Sequence, residues 1–200
     1  MLIGRDQEMQ LVLDQLARPD VRLLTLTGPA GTGKTRLALE AAGELLHDVR
    51  DGAFLVNLAP ISDARLVPSE IARALGVRDS TAGPTILDAL KVALRDKDVL
   101  LVLDNFEQVV DAAPQVADLL AACPRLKVLS TSRATLRLRW EHEVAVPPLE
   151  VPDARAALSL DDLSLVPSVV LFVERAQAVT PDLRLTFENA PAVAEICVRL

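Results

Sequence analysis

Cysteine and histidine are both scarce in this chain of 200 residues, which has two of each. Cys123 and Cys197 stand in apolar, helix-like patterns and form no CxxC spacing. A disulfide-stapled fold and a zinc site are therefore excluded. Thiols without a disulfide pattern are typical of a reducing compartment, so the sequence favours a cytoplasmic location.

Aromatic residues and an excess of positive charge are also lacking. Aromatics make up 2% of the chain, with no tyrosine and with Trp140 as the one tryptophan, which excludes a base-stacking platform for single-stranded nucleic acid. The 21 basic and 28 acidic residues give a net charge of −7, so this segment has no electrostatic footprint for DNA or for an anionic membrane. The sequence also has no long apolar run and no signal-peptide pattern, and we expect neither a membrane nor a direct nucleic-acid partner.

The chain alternates short β-rich runs with helical patterns, which predicts an α/β fold with a sheet covered by helices. Strands are predicted at 21–27, 53–58, 99–105, 127–133 and 141–149. One helix is predicted before the first strand, at 6–17, and four more lie between strands, at 35–46, 62–75, 84–95 and 107–122. Every strand connection except the last is of crossover length, so the five-stranded sheet is expected to be mainly parallel.

The composition shifts after residue 150, which predicts a second domain. Residues 1–150 are expected to form the α/β domain, and residues 151–167 read as a connector with one short helix. Two further helices are predicted at 168–179 and 189–200, with no strand between them. Because no helix-ending signal precedes Leu200, the chain is expected to end inside this helical domain.

The segment GPAGTGKT matches the phosphate-loop pattern G-x-x-x-x-G-K-[ST] in full. Its glycines let the backbone curl so that successive amides point at phosphates, at the positive end of the helix that follows. Lys34 is expected to reach the β- and γ-phosphates, and the Thr35 hydroxyl to bind Mg²⁺. The competing interpretation is a glycine-rich turn without a ligand. The predicted nucleotide-binding residues here are Gly28, Pro29, Ala30, Gly31, Thr32, Gly33, Lys34 and Thr35.

Asp104 stands at the end of the apolar run VLLVLDN. A carboxylate at this place can hold Mg²⁺ through its water shell, although an aspartate after a strand is also a common helix cap. The next residue is Asn105, so Glu107 is the nearest other carboxylate able to orient a water molecule. The alternative role for Glu107 is a first-turn acid favoured by the helix dipole.

The segment STSR ends the fourth predicted strand with polar side chains. The carboxyl ends of parallel strands face the crevice where α/β sheets bind ligands. Arg133 is therefore a candidate γ-phosphate contact, and Thr131 or Ser132 a candidate partner of water or Mg²⁺. The alternative is that Arg133 is a surface arginine, in a loop that also holds Arg137 and Arg139.

The chain resembles the STAND class of signal-transduction ATPases in the order and spacing of four segments, which are LIGRDQEM, GPAGTGKT, LLVLDNFE and LSTSR. The likeness is closest to the AP-ATPase or NB-ARC-like modules of bacterial LuxR-type and antibiotic-regulatory-type transcriptional regulators. SVVLFVERAQAV and LTFENAPAVAEICVRL resemble the start of that family's helical lid domain, which here would be truncated over 168–200. The resemblance covers essentially the whole chain.

The resemblance implies a role for each matching position. An N-terminal element, Ile3, Gly4 and Arg5, is expected to flank the adenine; residues 28–35 match Walker A, Asp104 matches Walker B and Arg133 matches the sensor arginine. The strand of the sensor arginine is expected to lie between the two Walker strands. Asn105 stands where many relatives have a second acid, which predicts slow hydrolysis.

These observations predict a P-loop NTPase that binds ATP or ADP with Mg²⁺ and acts as a molecular switch, reset by slow ATP hydrolysis. Its output is expected from other domains of a longer signalling or transcriptional regulator, and the resemblance implies a homo-oligomer on activation. Two other classes stay open. One is a turnover P-loop enzyme such as a kinase, and the other is a nucleotide-binding scaffold without catalysis.

Overall fold

Five strands form one sheet in the computed structural model, which describes residues 2–78, 85–153 and 159–199. The strands are β1 (Leu23–Thr27), β2 (Ala53–Asn57), β3 (Val99–Asp104), β4 (Leu126–Ser132) and β5 (Glu141–Ala145). Their order is β2-β3-β4-β1-β5, and all four pairings are parallel. The expected sheet is confirmed, and β4 lies between β1 and β3 as the resemblance implied.

The parallel pairing of β5 with β1 has a simple geometric basis. Only residues 133–140 connect β4 to β5, yet a segment of this length reaches about 26 Å when extended. That is more than the roughly 17 Å needed to run back along a five-residue strand. The last connection can therefore cross the sheet without a helix.

The helices of the sheet unit are α1 (Asp6–Ala17), α2 (Lys34–Glu44), α3 (Val67–Leu75), α4 (Ile86–Leu94) and α5 (Ala113–Ala122). The helix predicted at 62–75 is shorter, since a 3₁₀ turn occupies Ala64–Leu66. The helix predicted at 84–95 has Thr85 as its N-cap, and residues 79–84 lie outside the described part of the chain.

The helix predicted at 107–122 begins six residues later than expected. Two 3₁₀ turns, Phe106–Gln108 and Val110–Ala112, precede α5. Asn105, which precedes these turns, has a left-handed backbone conformation (φ 62°). This conformation ends the strand but does not start an α-helix. Pro114 lies in the first turn of α5, where its missing N–H costs nothing, whereas deeper in a helix it would remove a hydrogen bond.

The sheet is covered on both faces. The register partners Leu23, Val128 and Leu101 share one face and pack in the larger core with side chains of α3, α4 and α5. The opposite face carries Asp104 and Thr131 and contacts α2. All positions of β1 and β3 are buried, whereas the edge strands β2 and β5 are partly exposed. Burial on both faces explains the continuous apolar runs in the sequence.

Contacts divide the chain into two compact units, residues 7–147 and residues 1–6 with 148–200. The second unit holds α6 (Leu160–Leu165), α7 (Pro167–Gln177) and α8 (Ala190–Arg199), close to the predicted helices. Its buried core consists of Leu163, Val169, Ala190, Val193 and Cys197. Residues 154–158 of the predicted connector and the terminal Leu200 lie outside the described residues.

Both cysteines are buried free thiols. Burial raises the pKa of the Cys123 and Cys197 thiols, so neither is activated as a nucleophile. Over the described ranges, no helix is both long enough and apolar enough to span a bilayer.

Candidate functional site

The loop between β1 and α2 is built on glycines in backbone conformations that other residues rarely adopt. Gly28, Gly31 and Gly33 have φ values of 149°, 82° and 90°. A Cβ atom on Gly28 would lie 2.4 Å from the Val146 carbonyl oxygen, which is a severe clash. The glycines of the predicted phosphate loop are therefore required by its shape.

The amino end of α2 opens onto this loop. Gly33 is the N-cap in a left-handed conformation, and as a glycine it has no side chain that could cap the helix. A helix leaves its first N–H groups without intrahelical partners and carries partial positive charge at that end. The loop thus presents backbone donors where a phosphate is expected.

Lys34, the first residue of α2, is buried and folds back over the loop. Its Nζ donates hydrogen bonds to the carbonyl oxygens of Gly28 at 2.8 Å and Pro29 at 2.7 Å. An ammonium group has three N–H donors, so these two bonds leave one. The side chain holds a positive charge at the loop, and its contact with phosphates stays a prediction.

Asp104 is the centre of a hydrogen-bond network that joins three elements. Its Oδ1 accepts from the hydroxyl of Thr35 on α2 at 2.7 Å and from that of Thr131 on β4 at 2.6 Å. Thr131 Oγ1 in turn accepts a hydrogen bond from the backbone N–H of Asn105 at 2.9 Å. The structure therefore brings together Thr35 and Asp104, the two residues predicted to hold a metal ion.

The donor set of this network suits Mg²⁺. A carboxylate and hydroxyl oxygens are hard ligands, and Mg²⁺ is usually held through one or two carboxylates together with phosphates and water. No group of three or more His, Cys, Asp or Glu side chains suited to a metal occurs in the described residues. A site with a single carboxylate, completed by a nucleotide, fits the residues present better than an all-protein metal cage.

Glu107 and Arg133 lie next to each other. Arg133 Nε is 3.4 Å from Glu107 Oε1 in an ion pair whose arginine side chain is 63% exposed and whose glutamate side chain is 16% exposed. Glu107 belongs to the first 3₁₀ turn after β3, and Arg133 directly follows β4. The roles predicted for them, orienting water and sensing the γ-phosphate, are not tested by this contact.

Sequence reasoning missed the residues that support the loop from β5. Glu143 accepts a hydrogen bond from the hydroxyl of Thr27, the residue just before Gly28. Glu141 accepts from the amides of Leu136 and Leu138 in the connection between β4 and β5. The alternating acids of EHEVAV were the available signal, since they place two carboxylates on one face of a strand.

Ile3, Gly4 and Arg5 belong to the second unit. Gly4 has a φ of 60°, and a Cβ atom on it would lie 2.5 Å from Pro167 Cβ. This glycine is therefore required by a close approach within its own unit. The adenine role implied for the three residues stays a prediction.

Replacing Gly4 with alanine is expected to destabilise the second unit. The new methyl group must displace the first turn of α7 at Pro167, and alanine also disfavours the positive φ. We expect a loss of about 1–3 kcal/mol in unfolding free energy, measured by chemical denaturation. Gly43→Ala is the control, because nothing lies within 4 Å of its Cβ position in α2. Equal stability of the Gly4 variant and wild type would contradict the close packing.

Comparison with known proteins identifies the sheet unit. A family model described as an AAA domain matches residues 19–144. The chain belongs to this AAA domain family. The matched residues of the AAA domain include the glycine loop, Asp104 and Arg133, and the predicted P-loop NTPase fold is confirmed.

A Mycobacterium tuberculosis protein whose name describes an HTH-type transcriptional regulator is 39% identical over 180 residues. The match covers 90% of this chain and 19% of the regulator, so the AAA domain chain spans about a fifth of that relative.

Solved structures show the same fold at low identity. The Aeropyrum pernix ORC2 protein, solved as ADPNP–ADP complexes, matches with a TM-score of 0.62 and 13% identity, covering 98% of this chain and 69% of that one. A STAND protein with a tetratricopeptide repeat sensor from Pyrococcus horikoshii matches with a TM-score of 0.51 and 14% identity, covering 98% of this chain and 28% of that one.

Proposed function

We propose that this AAA domain is an ATP/ADP-binding molecular switch that resets by slow, Mg²⁺-dependent ATP hydrolysis. The observation that carries the proposal is the hydrogen-bonded set of Thr35, Asp104 and Thr131, which links the helix after the glycine loop to the ends of β3 and β4. Such a set places hard oxygen ligands beside the loop that presents amides to phosphate.

Each residue of the site has a part in binding. The backbone N–H groups of the glycine loop, where Pro29 has none, and the ammonium of Lys34 bind the phosphates, and Thr35 with Asp104 holds Mg²⁺. Bound Mg²⁺ would neutralise charge on the β- and γ-phosphates. Thr131 fixes the carboxylate of Asp104 by donating to Oδ1, so the metal-binding group is oriented before the nucleotide arrives.

Slow hydrolysis follows from the residue after Asp104. Asn105 has a neutral side chain that cannot take a proton from water. Glu107, the other carboxylate proposed for catalysis, is paired with Arg133. A site that binds nucleotide and turns it over slowly is suited to signalling.

We further propose that the chain is part of a STAND-type regulator of the LuxR or NB-ARC-like kind. The name of the mycobacterial relative, of which this chain spans 19%, supports a role in transcriptional control through other domains. The STAND structure supports the class, and the resemblance to that class is the basis for proposing a homo-oligomer on activation. Free buried thiols are in keeping with the cytoplasm.

The domain roles are also part of this proposal. Residues 1–150 bind the nucleotide, 151–167 connect, and 168–200 form the start of a helical lid. Ile3, Gly4 and Arg5 flank the adenine. In the described residues, the segment of α6–α8 is helical and contributes no strand to the sheet. This supports the interpretation of the segment as a lid and not as a second catalytic domain.

Steady-state hydrolysis tests the switch against its two alternatives. Phosphate release is measured with ATP and Mg²⁺, with and without a panel of phosphoryl acceptors, alongside calorimetric titration of ATP and ADP. A switch binds both nucleotides and shows slow release that no acceptor accelerates. Acceptor-dependent turnover would instead identify a kinase, and binding without any release would identify a scaffold.

Arg133→Ala is expected to weaken ATP binding and to spare ADP binding. A charge-assisted hydrogen bond to the γ-phosphate contributes about 1.5–3 kcal/mol, which is roughly 10- to 150-fold in affinity. ADP has no γ-phosphate to lose. Titration with ATP, a non-hydrolysable analogue and ADP measures the difference.

Arg137→Ala is the matched control for this prediction. Arg137 lies in the same connection between β4 and β5 and is exposed, so neither affinity should change. A loss of ADP affinity as large as the loss of ATP affinity in Arg133→Ala would show that Arg133 supports the fold or the shared phosphates, and not the γ-phosphate.

A further inference from the structure

Two contacts join the carboxyl ends of β3 and β4 and the residues that follow them. The first link is the hydrogen bond from the backbone N–H of Asn105 to Thr131 Oγ1, at 2.9 Å. The second, two residues further along both segments, is the ion pair between Glu107 Oε1 and Arg133 Nε, at 3.4 Å. The first contact ties the backbone just after β3 to the side chain of Thr131 on β4, and the second pairs Glu107 with the arginine that follows β4.

The two partners of the ion pair differ in burial. The Glu107 side chain is 16% exposed, and its Oε2 atom is buried with no hydrogen-bond partner in the described residues. The Arg133 side chain is 63% exposed. The carboxylate is therefore the fixed partner, and the guanidinium is the partner that reaches solvent at the carboxyl ends of the strands.

The buried oxygen also bears on the role of Glu107. A general base or water-orienting carboxylate needs an oxygen in contact with water. Here Oε1 faces Arg133 and Oε2 is shielded from solvent. In this arrangement Oε2 cannot hold an attacking water molecule, and Oε1 is shared with the arginine.

We propose that Glu107 is a positioning residue, which holds the Arg133 guanidinium ready for the γ-phosphate and so sets the preference for ATP over ADP. The proposal rests on the proposed nucleotide function. The contact uses Nε, and arginine has four further N–H donors on its two Nη atoms. Over the described chain Arg133 makes no second ion pair, so those donors are available to a phosphate.

The physical basis is pre-organisation. A long, exposed arginine occupies many rotamers, and fixing it at the moment of binding costs conformational entropy. A carboxylate that restrains Nε removes part of this cost before the nucleotide arrives. Because ADP offers no γ-phosphate, the saving applies to ATP alone.

Glu107→Gln tests the proposal, since glutamine keeps the shape of the side chain and removes its charge. We expect about a 2- to 10-fold loss of affinity for a non-hydrolysable ATP analogue, the size expected from ordering one long side chain. The affinity for ADP should stay at the wild-type value. In an Arg133→Ala background, Glu107→Gln should have no further effect, because residues that act as one unit are not additive.

Asp111→Asn is the matched control, because it makes the same charge change at an exposed residue of the second 3₁₀ turn. It should leave both affinities unchanged.

Arg133→Lys is a second test at an exposed site where folding is not at risk. Lysine keeps the charge but lacks the planar guanidinium, whose Nε and Nη donors point in different directions and can contact Glu107 and a phosphate separately, so it should lose part of the discrimination.

The outcomes separate the proposal from its alternatives. If Glu107→Gln slows hydrolysis while the ratio of ATP to ADP affinity is unchanged, Glu107 orients water and the positioning role is wrong. Full discrimination in Arg133→Lys would also overturn it. If the wild-type protein binds neither nucleotide, the proposed function itself fails, which is a result distinct from both.

Discussion

Lys34→Ala is expected to abolish measurable binding of both ATP and ADP while the protein stays folded. The substitution removes the positive charge that the α2 helix holds at the glycine loop. Both nucleotides lose affinity because both present a β-phosphate to this charge. Isothermal titration calorimetry with each nucleotide in the presence of Mg²⁺ measures the effect.

The fold should survive because the lysine's two partners can turn to water. Gly28 is partly exposed and Pro29 is exposed, so their carbonyl oxygens need not stay unsatisfied once Nζ is removed. We expect a cost of about 1–3 kcal/mol in unfolding free energy. Lys91→Ala is the control, at a partly exposed lysine whose ion-pair partners in the described residues lie 3.8 and 3.9 Å away. Unchanged nucleotide affinity in Lys34→Ala would show that this loop is not the binding site.

The sheet could be predicted from the sequence because its signals are local. Buried parallel strands need continuous apolar runs, and the glycine motif fixes the turn from β1 to α2. The predicted apolar run 99–105 contains β3 (Val99–Asp104) almost residue for residue. The central place of β4 came from the resemblance alone, because apolar periodicity does not specify which strands are neighbours.

The rest of the site depends on contacts between residues far apart in the chain. No local pattern shows that the Val146 carbonyl packs against Gly28, or that Glu107 forms an ion pair with Arg133. The helix start was misplaced for a related reason. Residues 107–112 have helical spacing, but Asn105 leaves β3 in a left-handed conformation and the segment after it forms 3₁₀ turns.

Asp104→Asn is expected to remove most of the contribution of Mg²⁺ to nucleotide binding and to leave the network of hydroxyl groups in place. Both Thr35 and Thr131 donate to Oδ1, and the amide oxygen of asparagine accepts hydrogen bonds in the same position. The hard cation loses its anionic partner. Because loss of an outer-shell partner costs about 10- to 100-fold in metal affinity, we expect a loss of about 100-fold for this charged residue.

The measurement compares ATP affinity with Mg²⁺ and with EDTA in wild type, Asp104→Asn and Asp111→Asn. The last variant makes the same charge change at an exposed residue and should behave as wild type under both conditions. In Asp104→Asn the two conditions should converge, while the unfolding temperature stays near the wild-type value because the hydroxyls of Thr35 and Thr131 keep their acceptor. If Mg²⁺ enhances binding to Asp104→Asn as strongly as to wild type, the metal is held elsewhere. Asp104 would then serve only to tie α2 and β4 to the end of β3.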